Sequence, residues 1–164
     1  MDRKSYFLRP DQPPEGSPRR MFDGETETEL APAMQERARG VGLVMKRPQI
    51  APNTSLVHQA TAYAKEKGVD NEFHHAAAKL YWETGANLGE MPVIQQVAQE
   101  VGLDWSELEG RLQSGHYLPN VNADYEAAKA QDVGVVPTYI VDGEYLKGDV
   151  SLEDLQAAIR KASA

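Results

Sequence analysis

The segment GVVPTYIVDGEYLKG, residues 134–148, constrains the fold of this chain more than any other stretch. It holds two short runs rich in β-branched and aromatic residues, at 138–141 and 144–148, separated by the pair Asp142-Gly143. Such a pair suits the type I′ turn of a two-residue β-hairpin. Pro137 comes directly before the first run, and proline cannot donate a ladder hydrogen bond. The sequence therefore predicts a hairpin whose first strand begins after Pro137.

The rest of the chain is predicted to be mostly helical. Residues 25–130 contain a series of apolar patterns at helical spacing, most of which end at a glycine. After the hairpin comes one amphipathic helix, in which we expect Leu152, Leu155 and Ile159 to pack on the hairpin. Near the start, residues 4–8 (KSYFL) are predicted to form a strand. The predicted order is strand, helical block, hairpin and helix.

Length, charge and composition narrow the class of protein. The 164 residues suit one domain, and 25 acidic against 17 basic residues give a net charge of −8. This charge argues against nucleic-acid binding, because phosphate backbones attract basic proteins. No stretch approaches the roughly 20 apolar residues that span a bilayer. We therefore expect no membrane association, and the absence of an apolar leader predicts a cytoplasmic location.

The sequence offers few groups for catalysis or metal binding. It contains no cysteine, which excludes disulfides, thiolate metal ligands and a cysteine nucleophile within these residues. Adjacent His74 and His75 would point about 100° apart on a helix, and His58 and His116 have no partner three or four residues away. Three serines begin predicted helices and are explained as caps: Ser55, Ser106 and Ser151. We predict no metal site and no catalytic residue.

Four stretches together resemble the DsbA-like thioredoxin family. They are YFLRPDQPPEG at 6–16, FHHAAAKLYWETGANLG at 73–89, VAQEVGLD at 97–104, and GVVPTYIVDGEYLKG at 134–148. Each stretch is loose alone, but their order and spacing are specific. Within the family, the sequence is most similar to FrnE-type oxidoreductases and to relatives of 2-hydroxychromene-2-carboxylate isomerase.

The resemblance implies an α/β, thioredoxin-like fold of the DsbA type with a large helical insertion. Residues 1–164 would form a single truncated domain, with 1–24 and 131–164 as its thioredoxin part and 25–130 as the insertion. Family members open with a strand and a helix that carries CxxC, or a serine in the isomerase and kappa-type glutathione transferase branch. Here the strand predicted at 4–8 follows only three residues, so the first strand and the active-site helix are expected to be absent.

The resemblance also implies a binding surface. It predicts a cis Val136–Pro137 bond and assigns Val136, Pro137 and Thr138 to a loop that offers backbone hydrogen bonds to a peptide or a glutathione-like ligand. Without a central strand, the neighbouring strands would leave backbone groups unpaired. Either the two strands close up directly or a second chain fills the gap, and we expect a homodimer or a swapped assembly that completes the sheet. No cofactor other than glutathione is expected.

Three functions remain open from the sequence. The first is a family member related to thiol–disulfide oxidoreductases but without redox activity in this cysteine-free chain, because exchange requires an attacking thiolate. The second is a non-catalytic peptide- or glutathione-binding module. The third is the remnant of a glutathione-dependent isomerase.

Overall fold

The computed structural model describes residues 2–163, in which helices predominate. Seven helices lie in this part of the chain: α1 Pro32–Gly40, α2 Ser55–Glu66, α3 Asp70–Thr84, α4 Met91–Glu100, α5 Trp105–Gln113, α6 Leu118–Ala130 and α7 Leu152–Ala162. Four short strands form two separate antiparallel pairs: β1 Ser17–Pro18 with β2 Ile50–Ala51, and β3 Thr138–Val141 with β4 Glu144–Lys147. The fold is mixed α/β, as predicted. None of the helices between residues 2 and 163 has the length and apolar character needed to cross a bilayer.

The main core lies inside the helical block, between α2, α3, α4 and α5. Tyr63, Phe73, Ile94 and Leu108 are completely buried there, one from each of these helices. Burial of such side chains contributes about 1.5–3 kcal/mol each before entropy is counted. Each of these residues belongs to the apolar face that the sequence predicts for its helix. The helical block thus contains a packed core between α2, α3, α4 and α5.

Local signals fix where several helices begin and end. The carboxylate of Asp104 accepts a hydrogen bond from the Glu107 N–H, 3.1 Å away, which caps α5. Gly85 takes a left-handed conformation with φ of 77° and ends α3. In α7 the Ser151 hydroxyl oxygen accepts from the Asp154 N–H at 3.1 Å. These caps satisfy backbone groups that the helices themselves leave unpaired.

The strand predicted at residues 4–8 is absent from the structure. The segment has no strand beside it within residues 2–163, and a strand exists only where a ladder partner is present. Its aromatic rings pack on the helical block instead: Phe7 lies edge-on to His58 and Tyr125, with ring centroids 5.4 and 5.5 Å apart. Its Ser5 N–H donates to the Asp124 carboxylate at 3.0 Å. The apolar pattern therefore marks a packed extended segment.

The hairpin predicted at the end of the chain is confirmed. Tyr139 pairs with Leu146, and Val141 pairs with Glu144. The two turn residues, Asp142 and Gly143, both have positive φ, 48° and 78°. This is the geometry of a type I′ turn, which matches the twist of the flanking strands.

The predicted packing of α7 on the hairpin is only partly right. Leu155 is half-buried and Ala158 is buried, but Leu152 is 72% exposed and Ile159 is 50% exposed. Leu152 and Ile159 lie about 100° or more around the helix axis from Ala158. Because α7 turns its Ala158 side inward, these two larger residues face solvent instead of the hairpin.

Candidate functional site

The predicted binding residues form the entry to β3. Val136 is 39% exposed, Pro137 is exposed and Thr138 is half-buried. The Val136–Pro137 peptide bond is cis. The Pro137 carbonyl accepts a hydrogen bond from the Gly148 N–H at 2.8 Å, and the Thr138 hydroxyl donates to the carbonyl of Val135. The three residues thus lie together at the point where the hairpin begins.

The hairpin register determines which backbone groups of β3 are left open. The bond from the Gly148 N–H to the Pro137 carbonyl lies outside the pair Thr138–Lys147. In an antiparallel ladder this makes Thr138–Lys147 a non-hydrogen-bonded pair, and Tyr139–Leu146 the next hydrogen-bonded one. Tyr139 therefore turns its N–H and C=O toward β4. Thr138 and Ile140 turn theirs toward the opposite edge, which no strand within residues 2–163 covers.

Apolar side chains accompany this open edge. Val135 is 48% exposed and Ile140 is 47% exposed, beside the partly exposed Val136. Ile140 lies opposite Tyr145, which is 39% exposed, on the same face of the hairpin. Unpaired backbone groups next to exposed apolar side chains are the features that favour pairing with another strand.

The hairpin and its following loop are tied to the helical block by polar contacts. The Tyr145 hydroxyl donates to the Gln131 side-chain oxygen at 3.0 Å. The two guanidinium N–H groups of Arg37 donate to Asp149 at 2.6 and 2.7 Å, which holds the pKa of that carboxyl below its ordinary value. Both side chains of this pair are largely exposed, so its contribution to stability is small. The contacts position the hairpin, and no second strand among residues 2–163 pairs with β3.

Comparisons with known proteins agree with this fold. Residues 1–160 match the sequence profile of the DSBA-like thioredoxin domain. This chain belongs to the DsbA-like thioredoxin family. It is similar to the uncharacterized protein YwbO of Bacillus subtilis, with 24% identity over 157 residues that cover 94% of this chain and 78% of YwbO.

Among solved structures, the domain is similar to a probable DsbA oxidoreductase from Streptomyces coelicolor. The TM-score is 0.74 and the sequence identity 21%, over 80% of this chain and 58% of that protein. The present chain thus spans little more than half of the Streptomyces protein. At this identity the likeness concerns the fold.

Within this DsbA-like domain, the four histidines lie on α2, on α3 and in the turn before α6. His74 and His75 lie side by side with ring centroids 6.1 Å apart, and His116 packs on Tyr117. Burial lowers the pKa of His58, so its imidazole is neutral near pH 7. No group of three or more metal-binding side chains converges in the part of the chain that the structure describes.

Sequence reasoning missed a buried charge cluster before α1. The carboxylate of Glu25 accepts two hydrogen bonds from Arg19, at 2.8 and 2.9 Å, and one from the Arg47 Nε at 3.3 Å. The Phe22 N–H donates to it as well, at 3.0 Å. Together these contacts, that of Arg19 above all, lower the pKa of Glu25 to about 2. No local pattern could have revealed the cluster, because Arg47 comes 22 residues after its partner.

Proposed function

We propose that this domain binds extended peptide segments by strand addition at the open edge of β3. The loop of Val136, Pro137 and Thr138 would hold one end of the bound segment. The observation that carries the proposal is the outward direction of the N–H and C=O groups of Thr138 and Ile140. In strand addition, main-chain hydrogen bonds supply affinity and the alternating side chains supply specificity.

Pro137 does not obstruct this mode of binding. The backbone position of Pro137 faces β4, as its carbonyl bond to the Gly148 N–H indicates. The N–H that proline lacks is therefore missing from the paired edge, where the ladder ends. Both donors of the open edge, on Thr138 and Ile140, are retained. A bound strand could pair with each of these residues through one donor and one acceptor.

The chemistry of the surface indicates the kind of peptide. Val135, Val136 and Ile140 offer apolar contact area along the edge. The net charge of the chain is −8, which favours association with basic partners. An extended segment that alternates β-branched and basic residues combines both properties. The proposed partner is thus a basic, extended peptide.

The domain is proposed to act as a binding module without thiol–disulfide exchange. Exchange begins with attack by a thiolate, and this sequence contains no cysteine. Insulin reduction assayed with the purified chain should stay at the background rate in the presence of dithiothreitol. Turnover above that background would contradict this part of the proposal.

Two other occupants of the edge are distinguished by experiment. Glutathione is a short peptide that could use the same backbone groups. A second copy of the chain could pair its own β3 antiparallel, so that Thr138 and Ile140 of the two copies exchange hydrogen bonds around Tyr139. Such a homodimer would complete the sheet and occupy the edge.

The test compares two labelled peptides by fluorescence anisotropy. One is Val-Lys-Val-Lys-Val-Lys, and the other has the same sequence with every internal backbone nitrogen methylated, which removes the donors along both edges. Loss of two backbone hydrogen bonds should weaken binding about tenfold or more. Equal binding of the two peptides, or no binding of either, would contradict strand addition.

Glutathione and the chain itself complete the test. Binding of glutathione, but of neither peptide, would replace the proposed partner with a glutathione-like ligand. Light scattering at micromolar concentration tests the expected homodimer, and a dimer that saturating peptide dissociates would agree with strand addition at the same edge. A stable dimer in which the peptide has no effect would assign the edge to a second copy.

A further inference from the structure

A cavity beside the helical block involves no residue of the hairpin. Its volume is about 320 Å³, and it is bounded by the N-terminal segment, the loop after β1, the start of α2 and the side of α3. Its apolar wall consists of Tyr6, Leu8, Phe22, Tyr81 and Leu88. We call it the Arg9 cavity. Its size is at the lower end of the range for small-molecule sites.

Two arginines line the Arg9 cavity, and only one of them is neutralised. Both outer nitrogens of Arg19 donate to the Glu25 carboxylate. Arg9 is an exposed residue, and no side-chain hydrogen bond or ion pair joins its guanidinium to a residue between 2 and 163. Arg9 also lies near enough to Tyr81 for its charge to oppose the rise in the Tyr81 pKa that burial causes. The cavity therefore holds one positive charge without a counter-charge.

No acidic side chain among the described residues lines the cavity. This is notable in a chain with 25 acidic residues. The remaining polar side chains on the wall are the hydroxyls of Tyr6, Thr54 and Tyr81 and the imidazole of His58, whose pKa is lowered by burial. A cavity with one available cation, neutral hydrogen-bonding groups and an aromatic wall suits a ligand with a single negative charge and an apolar body.

We infer that the Arg9 cavity binds a small organic monocarboxylate, with its carboxylate on the Arg9 guanidinium and its apolar body against the aromatic wall. This inference does not depend on peptide binding at β3, because the two surfaces share no residue. The cavity volume limits the ligand to about ten to fifteen non-hydrogen atoms. Octanoate is within that limit and carries the required groups.

The experiment titrates octanoate and octanamide into the purified chain by isothermal titration calorimetry. The two ligands have nearly the same shape, but only octanoate is charged at pH 7. Octanoate should bind at least about threefold more tightly, because a charge-assisted hydrogen bond is stronger than a neutral one even at an exposed arginine. Equal affinity for the two ligands, or no binding of octanoate at millimolar concentration, would overturn the inference.

Two variants test whether the preference for octanoate over octanamide comes from Arg9. Arg9→Gln should remove the preference for octanoate over octanamide, while Arg20→Gln should keep it. Arg20 is exposed and outside the cavity, and its replacement changes the net charge by the same amount. An equal loss in both variants would show only a general charge effect and would overturn the assignment.

A third variant tests the apolar wall. Phe22→Ala should weaken octanoate and octanamide by the same factor and leave their ratio unchanged. Phe22 is 53% exposed, so its truncation leaves the helical core intact. Unchanged affinity of both ligands in Phe22→Ala would place the bound molecule outside the Arg9 cavity.

Discussion

At the scale of single residues, Glu25 organises the segment before α1. Its side chain is only 5% exposed, and the side chains of its partners Arg19 and Arg47 are 13% and 6% exposed. A buried carboxylate is tolerated because every contact to it comes from a donor. Removing its charge would leave two buried guanidinium groups without a counter-charge, which costs more than the ion pair itself contributes.

Replacement of Glu25 should therefore destabilise the protein and flatten its acid response. Glu25→Gln should lower the free energy of unfolding at pH 7 by about 2 kcal/mol, the size expected for the loss of hydrogen bonds to a charged group. The folded pKa of about 2 lies below the ordinary 4.5. The unfolded chain thus takes up this proton first, and the stability that Glu25 contributes is lost as pH falls from about 4.5 to about 2. Chemical denaturation across this range measures the effect.

Glu27→Gln is the matched control, because Glu27 is exposed. The variant at Glu25 should lose less stability between neutral and acid pH than this control. The Glu25 variant should still lose some stability in acid, because Glu107 also has a low folded pKa. The Lys67 ammonium, 3.0 Å from the Glu107 carboxylate, is the main reason that this pKa is about 2. Identical acid profiles for the two variants would contradict the role given to Glu25.

At the scale of elements, the sequence predicted those whose signals are local. The Asp142-Gly143 turn and the Ser151 cap of α7 each depend on residues a few positions apart. Local signals could not show whether residues 4–8 form a strand, because a strand requires a partner elsewhere in the chain. The exposure of Leu152 was missed for a related reason. Periodicity identifies the apolar face of a helix but not how the helix is rotated against its neighbour.

Gly16 lies directly before β1 and packs closely against β2. A Cβ added to Gly16 would lie 2.7 Å from the Ala51 carbonyl oxygen and 2.8 Å from the Ile50 Cγ2. Gly16 also has a φ of 82°, which an L side chain rarely adopts. Gly16→Ala should therefore lower the free energy of unfolding through both backbone strain and a clash.

Gly42 separates the two effects. Its φ is 73°, but a Cβ there would meet nothing within 4 Å. Gly42→Ala should cost about 1 kcal/mol for backbone strain, and Gly16→Ala should cost at least about 1 kcal/mol more. Urea denaturation of both variants measures the difference. Equal losses would show that the β1–β2 ribbon moves away to accommodate the methyl group.

At the scale of the whole molecule, the chain consists of a well-packed helical block and a less buried hairpin region. The residues of the main core cluster come from positions 60–117 of the sequence. In α7, by contrast, Ala158 is the only buried residue among those that the structure describes. Local stability follows buried apolar contacts. The hairpin and α7 should therefore open more easily than α2 to α5.

Native-state hydrogen exchange tests this difference. The amides of Phe73 and Ile94 should exchange only through global unfolding, because both residues are fully buried in the core. The amides of α7 around Ala158 should exchange through local unfolding, which has a lower free energy and exposes less surface. Their exchange rates should therefore respond less to low concentrations of denaturant. A single shared opening free energy for both regions would contradict a division into two units of different stability.

The family, the helical block and the hairpin could be predicted from the sequence, because four stretches of the chain follow the order and spacing of the DsbA-like family. The Arg9 cavity could not, since its lining residues come from positions as far apart as Tyr6 and Leu88. The open edge of β3 required the register, which depends on the contact between Pro137 and Gly148. Sequence patterns predict elements, whereas sites arise from the contacts between them.

The most direct test of the central claim is amide hydrogen exchange along β3 with and without the alternating valine–lysine peptide. In the free chain, Tyr139 should be protected by its bonds to β4, while Thr138 and Ile140 should exchange rapidly. Saturating peptide should protect Thr138 and Ile140 and change Tyr139 little. Binding of the peptide with no added protection at Thr138 and Ile140 would contradict strand addition at this edge.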